Sequence, residues 1–213
     1  MRPDVILATE TWLDPSVTNS QILPSCFNVY RKDRENRTGG GVLIAIHNKF
    51  LSSEMPDLDT DAEIIWASIQ QQGNKELRLC AYYHPKTSDE LTAFERSIQS
   101  ACRYNSQILI GGDFNLPGWN WKDKSLKPGT QHPTNHYHLT EILDDHGLTQ
   151  MVEVPTRNNS ILDLFITNMP NNVQKVDTTP GIPSWKKVMA RLAPRKVNFL
   201  MTRKNNKKNL QLS

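Results

Sequence analysis

Gln107-Ile108-Leu109-Ile110-Gly111-Gly112-Asp113-Phe114-Asn115-Leu116 is the stretch around which the chain is organised. Three apolar residues run into two glycines, and an acid and an amide then stand two apart. The apolar run has the length of a buried strand, and the Gly-Gly pair is expected to end it. Side chains at positions i and i+2 of a strand point the same way. Asp113 and Asn115 are therefore expected to aim a carboxylate and an amide into one cleft at the strand's carboxyl end. That pair suits a phosphate ester: the carboxylate holds a hard cation or orients a water, and the amide steadies an oxygen. The alternative is a plain strand-to-turn junction, since Gly, Asp and Asn are common turn residues.

Working outward, 213 residues predict one domain with a real core. A hydrophobic content of 37% and a mean hydropathy of −0.56 read as soluble, and no apolar run reaches membrane-span length. Met1-Arg2-Pro3-Asp4 leads straight into a short apolar strand, and on this reading no secretory signal is expected. Cys26, Cys80 and Cys102 are scattered and odd in number. They fit a reducing, intracellular compartment, nucleus or cytoplasm, with neither a disulfide framework nor zinc spacing.

The net charge of +3 hides an asymmetry. No acid follows Asp177, whereas nine of the 25 Lys and Arg do, which leaves 16 bases against 22 acids in the body. A basic tail on an acidic body is compatible with a nucleic-acid partner. Its last dozen residues also read as a solvated end.

Strands are expected at 5–9, 27–31, 42–46, 64–69, 77–83, 108–110 and 161–166, with a turn at Gly73-Asn74. Asp89 is expected to start a helix carrying Leu91, Phe94 and Ile98 on one face. Asn135 is expected to cap another over Tyr137 to Asp145, ended by Gly147. Strands with two helices set among them argue an α+β layered fold.

Acids at strand ends are the next signal. Asp163 sits in an otherwise apolar strand, where burial without a partner is costly. Glu10 stands where the first strand stops. Tyr82-Tyr83-His84-Pro85 ends another strand with a hydroxyl and a ring. Glu10, Tyr83, Asp113, Asn115 and Asp163 come from four strands, and their convergence on one mouth would assemble a metal-assisted hydrolase. Each has a structural alternative: a surface acid for Glu10, a core ring for Tyr83, a turn cap or an Arg157 pair for Asp163. Arg31, Lys32 and Arg34 read as a solvated loop. Trp119 and Trp121 either stack on bases or pin a long loop. His132, His136 and His138 read as surface residues, because Pro133 interrupts their helical spacing and no cysteine is near.

At these residues the chain resembles a family, the endonuclease/exonuclease/phosphatase superfamily, in the branch that non-LTR retrotransposons carry ahead of their reverse transcriptase. The matching stretches run in family order from about residue 4 to 182. They are Leu7-Ala8-Thr9-Glu10-Thr11-Trp12-Leu13, Tyr30-Arg31-Lys32-Asp33-Arg34 with Gly39-Gly40-Gly41-Val42, Tyr82-Tyr83-His84-Pro85, Gly112-Asp113-Phe114-Asn115-Leu116-Pro117-Gly118, Pro155-Thr156-Arg157, and Leu162-Asp163-Leu164 with Thr167-Asn168. The resemblance implies a four-layered α/β sandwich, two packed β-sheets flanked by helices, and Mg²⁺-dependent nicking of DNA. It implies that Glu10 and Asp113 bind the metal, that Tyr83 contacts the phosphate, that Asp113 orients the attacking water with Asn115 in support, and that Asp163 lies behind them as an orienting acid.

Two parts of the family pattern are absent. The family opens with a strand bearing a catalytic Asn and then a helix, and the sequence from Met1 reads as beginning after both. The family closes with Ser-Asp-His after Pro-Gly-Ile. Here Pro180-Gly181-Ile182 runs into Pro183-Ser184-Trp185. Serine has no accessible pKa and indole only donates, so neither does acid/base work. The expected organisation is a truncated endonuclease domain at 1–182 and a degenerate last strand with a basic tail at 183–213. Two readings stand side by side: an active metal-dependent nuclease in which His84 takes the missing histidine's part, or a non-enzymatic, nucleic-acid-binding or inert remnant. A sheet without its first strand is also expected to leave an exposed edge that favours self-association.

Overall fold

Alternation along the first strand sets the layering. Val5 and Leu7 face one way into a core with Val42, Ile44 and Ile46, while Ile6 and Ala8 face the other way against Leu13 and Ile22. The structure, a computed structural model, describes residues 3–34, 39–73, 76–85, 90–103, 106–179, 185–192 and 197–204. In chain order the elements are β1 (Val5–Thr9), α1 (Asn19–Ile22), β2 (Phe27–Lys32), β3 (Val42–His47), β4 (Ser52–Glu54), β5 (Glu63–Gln70), β6 (Glu76–Tyr83) and α2 (Glu90–Ala101). There follow β7 (Gln107–Asp113), β8 (Trp119–Asn120), β9 (Ser125–Leu126), α3 (Pro133–Asp145), β10 (Thr149–Gln150), β11 (Asp163–Thr167), β12 (Val173–Thr179), β13 (Trp185–Leu192) and β14 (Val197–Lys204).

Two six-stranded sheets form, one ordered β12-β13-β14-β1-β3-β2 and the other β10-β11-β7-β6-β5-β4. Their facing sides bury Val5, Leu7, Ile44, Ile65, Leu79 and Leu109 between them. The outer side of the second sheet presents Ile64, Trp66, Ile108 and Ile110 to Phe94 and Ile98 of α2 and to Leu139 and Ile142 of α3. The outer side of the first sheet at β1 and β3 is covered by α1 and its flanking loop. This is the expected α/β sandwich. Each fully buried Leu or Ile contributes roughly 1.5–3 kcal/mol, against about 0–1 for an exposed ion pair, so the inter-sheet core dominates the stability.

Four expectations need correcting. Gly111 and Gly112 do not end the central strand: β7 runs through them to Asp113, paired on both sides by β6 and β11. A Cβ on Gly112 would lie 1.8 Å from the Tyr82 carbonyl oxygen, so the glycine permits a close strand approach rather than a turn. Asp163 opens its strand rather than lying within it. α3 starts at Pro133, not after Asn135, because proline's fixed φ and missing N–H suit a helix's first turn. Finally, β1 lies inside its sheet, antiparallel to β3 and parallel to β14, so the edge expected beside it is covered by the chain's own C-terminal strand. The boundary expected at residue 182 falls between β12 and β13, which pair with each other. Asn74 of the expected turn and Asp89 of the expected helix start lie outside the described residues.

Candidate active site

β7 carries Asp113 to the carboxyl end of the second sheet. In register, Asp113 stands between Tyr83 of β6 and Asp163 of β11, and Tyr83 in turn faces Glu63 of β5. Glu63, Tyr83, Asp113 and Asp163 thus form one row across four strands. Asp113 is fully buried, and Asp163 is 9% exposed. Two acids buried at neighbouring positions are costly unless cations or donors meet them.

Asn115 joins this row by a different geometry from strand alternation. It has φ +50°, so the period of two no longer applies. Its backbone N–H donates to Asp113 Oδ1 at 3.0 Å, and its side-chain Nδ2 donates to the His84 carbonyl at 2.7 Å. Its Oδ1 is buried with no hydrogen-bond partner among the described residues. A buried acceptor in that state is satisfied by a bound water, a hydrated cation or a substrate donor.

His84 braces the turn. Its N–H donates to the Asp113 carbonyl at 2.8 Å, and its Nδ1 donates to the Phe114 carbonyl at 3.0 Å. With 2% exposure and Nδ1 committed to the backbone, its ring is part of the scaffold that aims Asp113 and Asn115. Thr156 does the same for the neighbouring strand: its hydroxyl accepts from the N–H groups of Leu162 and Asp163 at 2.9 and 3.1 Å.

Glu10 follows β1 with φ +54°, and Trp12 has φ +56°. Among the described residues, six non-glycines have positive φ, and Glu10, Trp12 and Asn115 are three of them. Each such residue costs about 1–3 kcal/mol, and such strain persists only where the surroundings enforce it. The enforcing contacts are visible at Glu10. Its Oε2 accepts from the Trp12 indole at 2.7 Å and from the Gly40 N–H at 3.2 Å. Thr11 and Trp12 donate their own N–H groups to the Gly41 and Gly40 carbonyls.

The structure thus joins Tyr83, Asp113, Asn115 and Asp163 on one sheet end. It attaches Glu10 to the Gly39–Gly41 loop, which meets the same row where the Gly41 N–H donates to Glu63 at 2.8 Å. The Tyr83 ring lies in the inter-sheet core, with the guanidinium carbon of Arg34 6.0 Å from its centre. Ser184 lies outside the described residues, and Trp185 opens β13. Among the described residues, no group of three or more His, Cys, Asp or Glu gathers as a metal cluster. Two carboxylates with a buried, unpartnered amide oxygen beside them, Asn115 Oδ1, are a donor set that would fit a Mg²⁺ ion keeping most of its waters.

Other expectations change here. Lys32 and Arg34 are not solvated: Lys32 Nζ donates to the Thr60 and Ala62 carbonyls at 2.7 and 2.9 Å, and Arg34 pairs with Glu63. His136 is buried rather than on the surface, accepting from the Gly118 N–H and donating to the His132 carbonyl, each at 3.0 Å. Burial holds its pKa below the ordinary 6.5. Trp119 packs edge-on against Trp121 and Tyr137, and so pins the β8–β9 hairpin to α3. Glu63 is a site neighbour that the sequence reading missed, while Arg34 and Thr156 lay in family-like stretches without being given a place at the site. Only the Gly-Gly-Gly run hinted that something must approach that loop closely.

The sequence profile of the family described as endonuclease-reverse transcriptase matches residues 77–184, half of the chain, including Tyr83, Asp113, Asn115 and Asp163. The chain belongs to this family. Its fold is similar to that of the endonuclease domain of TRAS1, a telomere-specific non-LTR retrotransposon. That match has a TM-score of 0.60 at 15% identity and covers 83% of this chain and 91% of that one. It is also similar to the Xenopus laevis APE2 catalytic domain, with a TM-score of 0.58 at 12% identity, over 84% and 79% of the two chains. At these identities the likeness is one of fold. No curated protein matches the chain. As a member of the endonuclease-reverse transcriptase family, the chain carries an endonuclease-type domain. No described helix is long and apolar enough to cross a membrane.

Proposed function

We propose that this domain is built for metal-dependent hydrolysis of a phosphodiester in DNA, derived from a non-LTR retrotransposon, and that this copy is catalytically impaired. The observation that carries the first part is the Asp113–Asn115 turn. A buried carboxylate is locked by the Asn115 N–H, with Tyr83 and Asp163 beside it in register and an orphaned amide oxygen two residues on. Glu10 and Asp113 would hold Mg²⁺, which when bound supplies charge stabilisation at a phosphoryl oxygen. Asp113 would orient the attacking water, Asn115 would support it, and Tyr83 would donate to the phosphate. Asp163 would hold the cluster's orientation from the adjacent strand. The organisation that goes with this reading is an endonuclease body at 1–182 and a closing segment at 183–213.

Impairment rests on Ser184 and Trp185, which stand where the family has an Asp and a His. Losing one general acid/base group costs about 10²–10⁴-fold, and groups that act as a unit lose more. The same departure favours the second reading, a non-enzymatic nucleic-acid-binding or inert remnant, with the bases after Asp177 as its contact. The partner in both readings is nucleic acid. Self-association through a sheet edge would fall to β12 or β2, the outer strands of the first sheet.

A ligand that binds only the folded state raises its stability in proportion to occupancy. Mg²⁺ is therefore expected to raise the unfolding temperature saturably, and only at concentrations far above that of the protein. Asp113→Asn should abolish the effect. An unfolding temperature indifferent to Mg²⁺, or a shift that survives Asp113→Asn, would overturn the metal assignment.

A further inference from the structure

The acid on the first sheet and the row on the second must be held at a fixed separation to act on one phosphate, and the Gly39–Gly41 loop spans the gap. Glu63 grips that loop from the second sheet. Its Oε2 accepts the Gly41 N–H at 2.8 Å, and its Oε1 pairs with the Arg34 guanidinium. Arg34 in turn lies over the Tyr83 ring. Gly40 has φ +73°, and a Cβ there would fall 2.5 Å from both the Arg34 guanidinium carbon and Glu63 Oε2, so a side chain at this position would strain the backbone and push the ion pair aside. Gly40 then donates its N–H to Glu10 Oε2, the oxygen that also accepts from the Trp12 indole.

We infer that Glu63 is a positioning residue for Glu10, acting through Gly41, Arg34 and Gly40 to set the carboxylate of the first sheet against the Asp113 row of the second. The pair is half-buried, with Arg34 at 24% and Glu63 at 15% side-chain exposure. Removing one partner leaves a desolvated charge on the other. The consequence falls on the loop: without its anchor, Gly40 no longer fixes Glu10, and the Trp12 indole loses a constrained acceptor. The significance of the inference rests on Glu10 being the acid that faces a metal, but the positioning itself is measured without metal. A failed Mg²⁺ titration and an unmoved indole are therefore separate results.

The Trp12 indole N–H resonance in a ¹⁵N–¹H spectrum reports directly on the Glu10 bond, with Glu10→Ala marking its unbonded position. In Glu63→Ala, this resonance is expected to move most of the way to that position. Its hydrogen exchange should run roughly tenfold faster, the change that follows loss of a bond to a charged acceptor. Glu63→Gln keeps an acceptor for Gly41 and should move it less. Should Glu63→Ala fail to fold, Arg34→Met removes the same ion pair and must also move the resonance. Ser97→Ala is the control for general destabilisation, since Ser97 bonds Trp66 and Leu58 on the far side of the second sheet. A Trp12 resonance at its wild-type position in every folded Glu63 and Arg34 variant, or an equal shift in Ser97→Ala, would overturn the inference.

Discussion

His136 illustrates what a single buried group does to the loop beyond the site. Its ring accepts from Gly118 and donates to His132, so the neutral form is the one the fold uses. Burial is the main cause of its lowered pKa; the bond to the His132 carbonyl opposes it, and the charges of His132 and Lys127 add to it. Because the folded pKa lies below 6.5, the unfolded chain binds the extra proton first as the pH falls. The contribution of His136 is therefore whole above the unfolded value and is lost as the pH falls from there toward the folded one. Thermal unfolding between about pH 5 and 7 should show the wild type losing stability on acidification more steeply than His136→Gln, which keeps an acceptor and a donor but does not titrate. Asp59, pushed up to about 6 by burial, titrates with the opposite sign, but it is common to both proteins and cancels in the difference. Parallel curves would contradict the assignment. At this scale the sequence was half legible. Asp113 and Asn115 announced themselves by type and spacing, yet a turn bond joins them where alternation was expected. Glu63 looks in sequence like any acid opening an apolar strand, and only the folded loop gives it a partner.

Strongly apolar strands and one-faced helices were legible in the sequence: short apolar runs marked β1 and β3, and the Leu91, Phe94, Ile98 spacing marked α2. What failed was punctuation. Gly111-Gly112 read as a stop but serves close packing against β6, and Pro133 read as a break but begins α3. At the C-terminus a degenerate last strand with a basic tail was expected, its last dozen residues reading as a solvated end, and β14 with its place in the sheet was not foreseen. Long-range pairing decides it: β13 and β14 form an antiparallel pair, and β14 lies parallel to β1 over Val5 to Thr9. No local signal announces a parallel partner nearly the whole chain away. A chain ending at Leu192 should therefore lose cooperative unfolding, or expose β1 and associate, because β1 would present bare N–H and C=O groups at a new edge. Sedimentation velocity and a melting curve suffice. A monodisperse fragment melting as sharply as the full chain would show that β14 adds nothing to the sheet.

As a whole molecule, the two sheets meet at a rim where the Gly39–Gly41 loop of the first bonds Glu63 of the second, and three buried acids, Glu10, Asp113 and Asp163, gather there. Asp113 and Asp163 lie side by side on one sheet, and Glu10 is held under strain by the loop of the other. The resemblance in sequence implies both this rim and the proposed impairment: the acids are present, and Ser184 and Trp185 fall where the resemblance implies an Asp-His pair. The account predicts a site that keeps its architecture and has lost its proton chemistry. The direct test is a nicking gel of supercoiled plasmid incubated with the purified chain in Mg²⁺, beside an Asp113→Ala control. The plasmid should stay supercoiled to the same extent in both lanes. Clear nicking by the chain that disappears in Asp113→Ala would contradict the account, because another residue would then have taken the histidine's part.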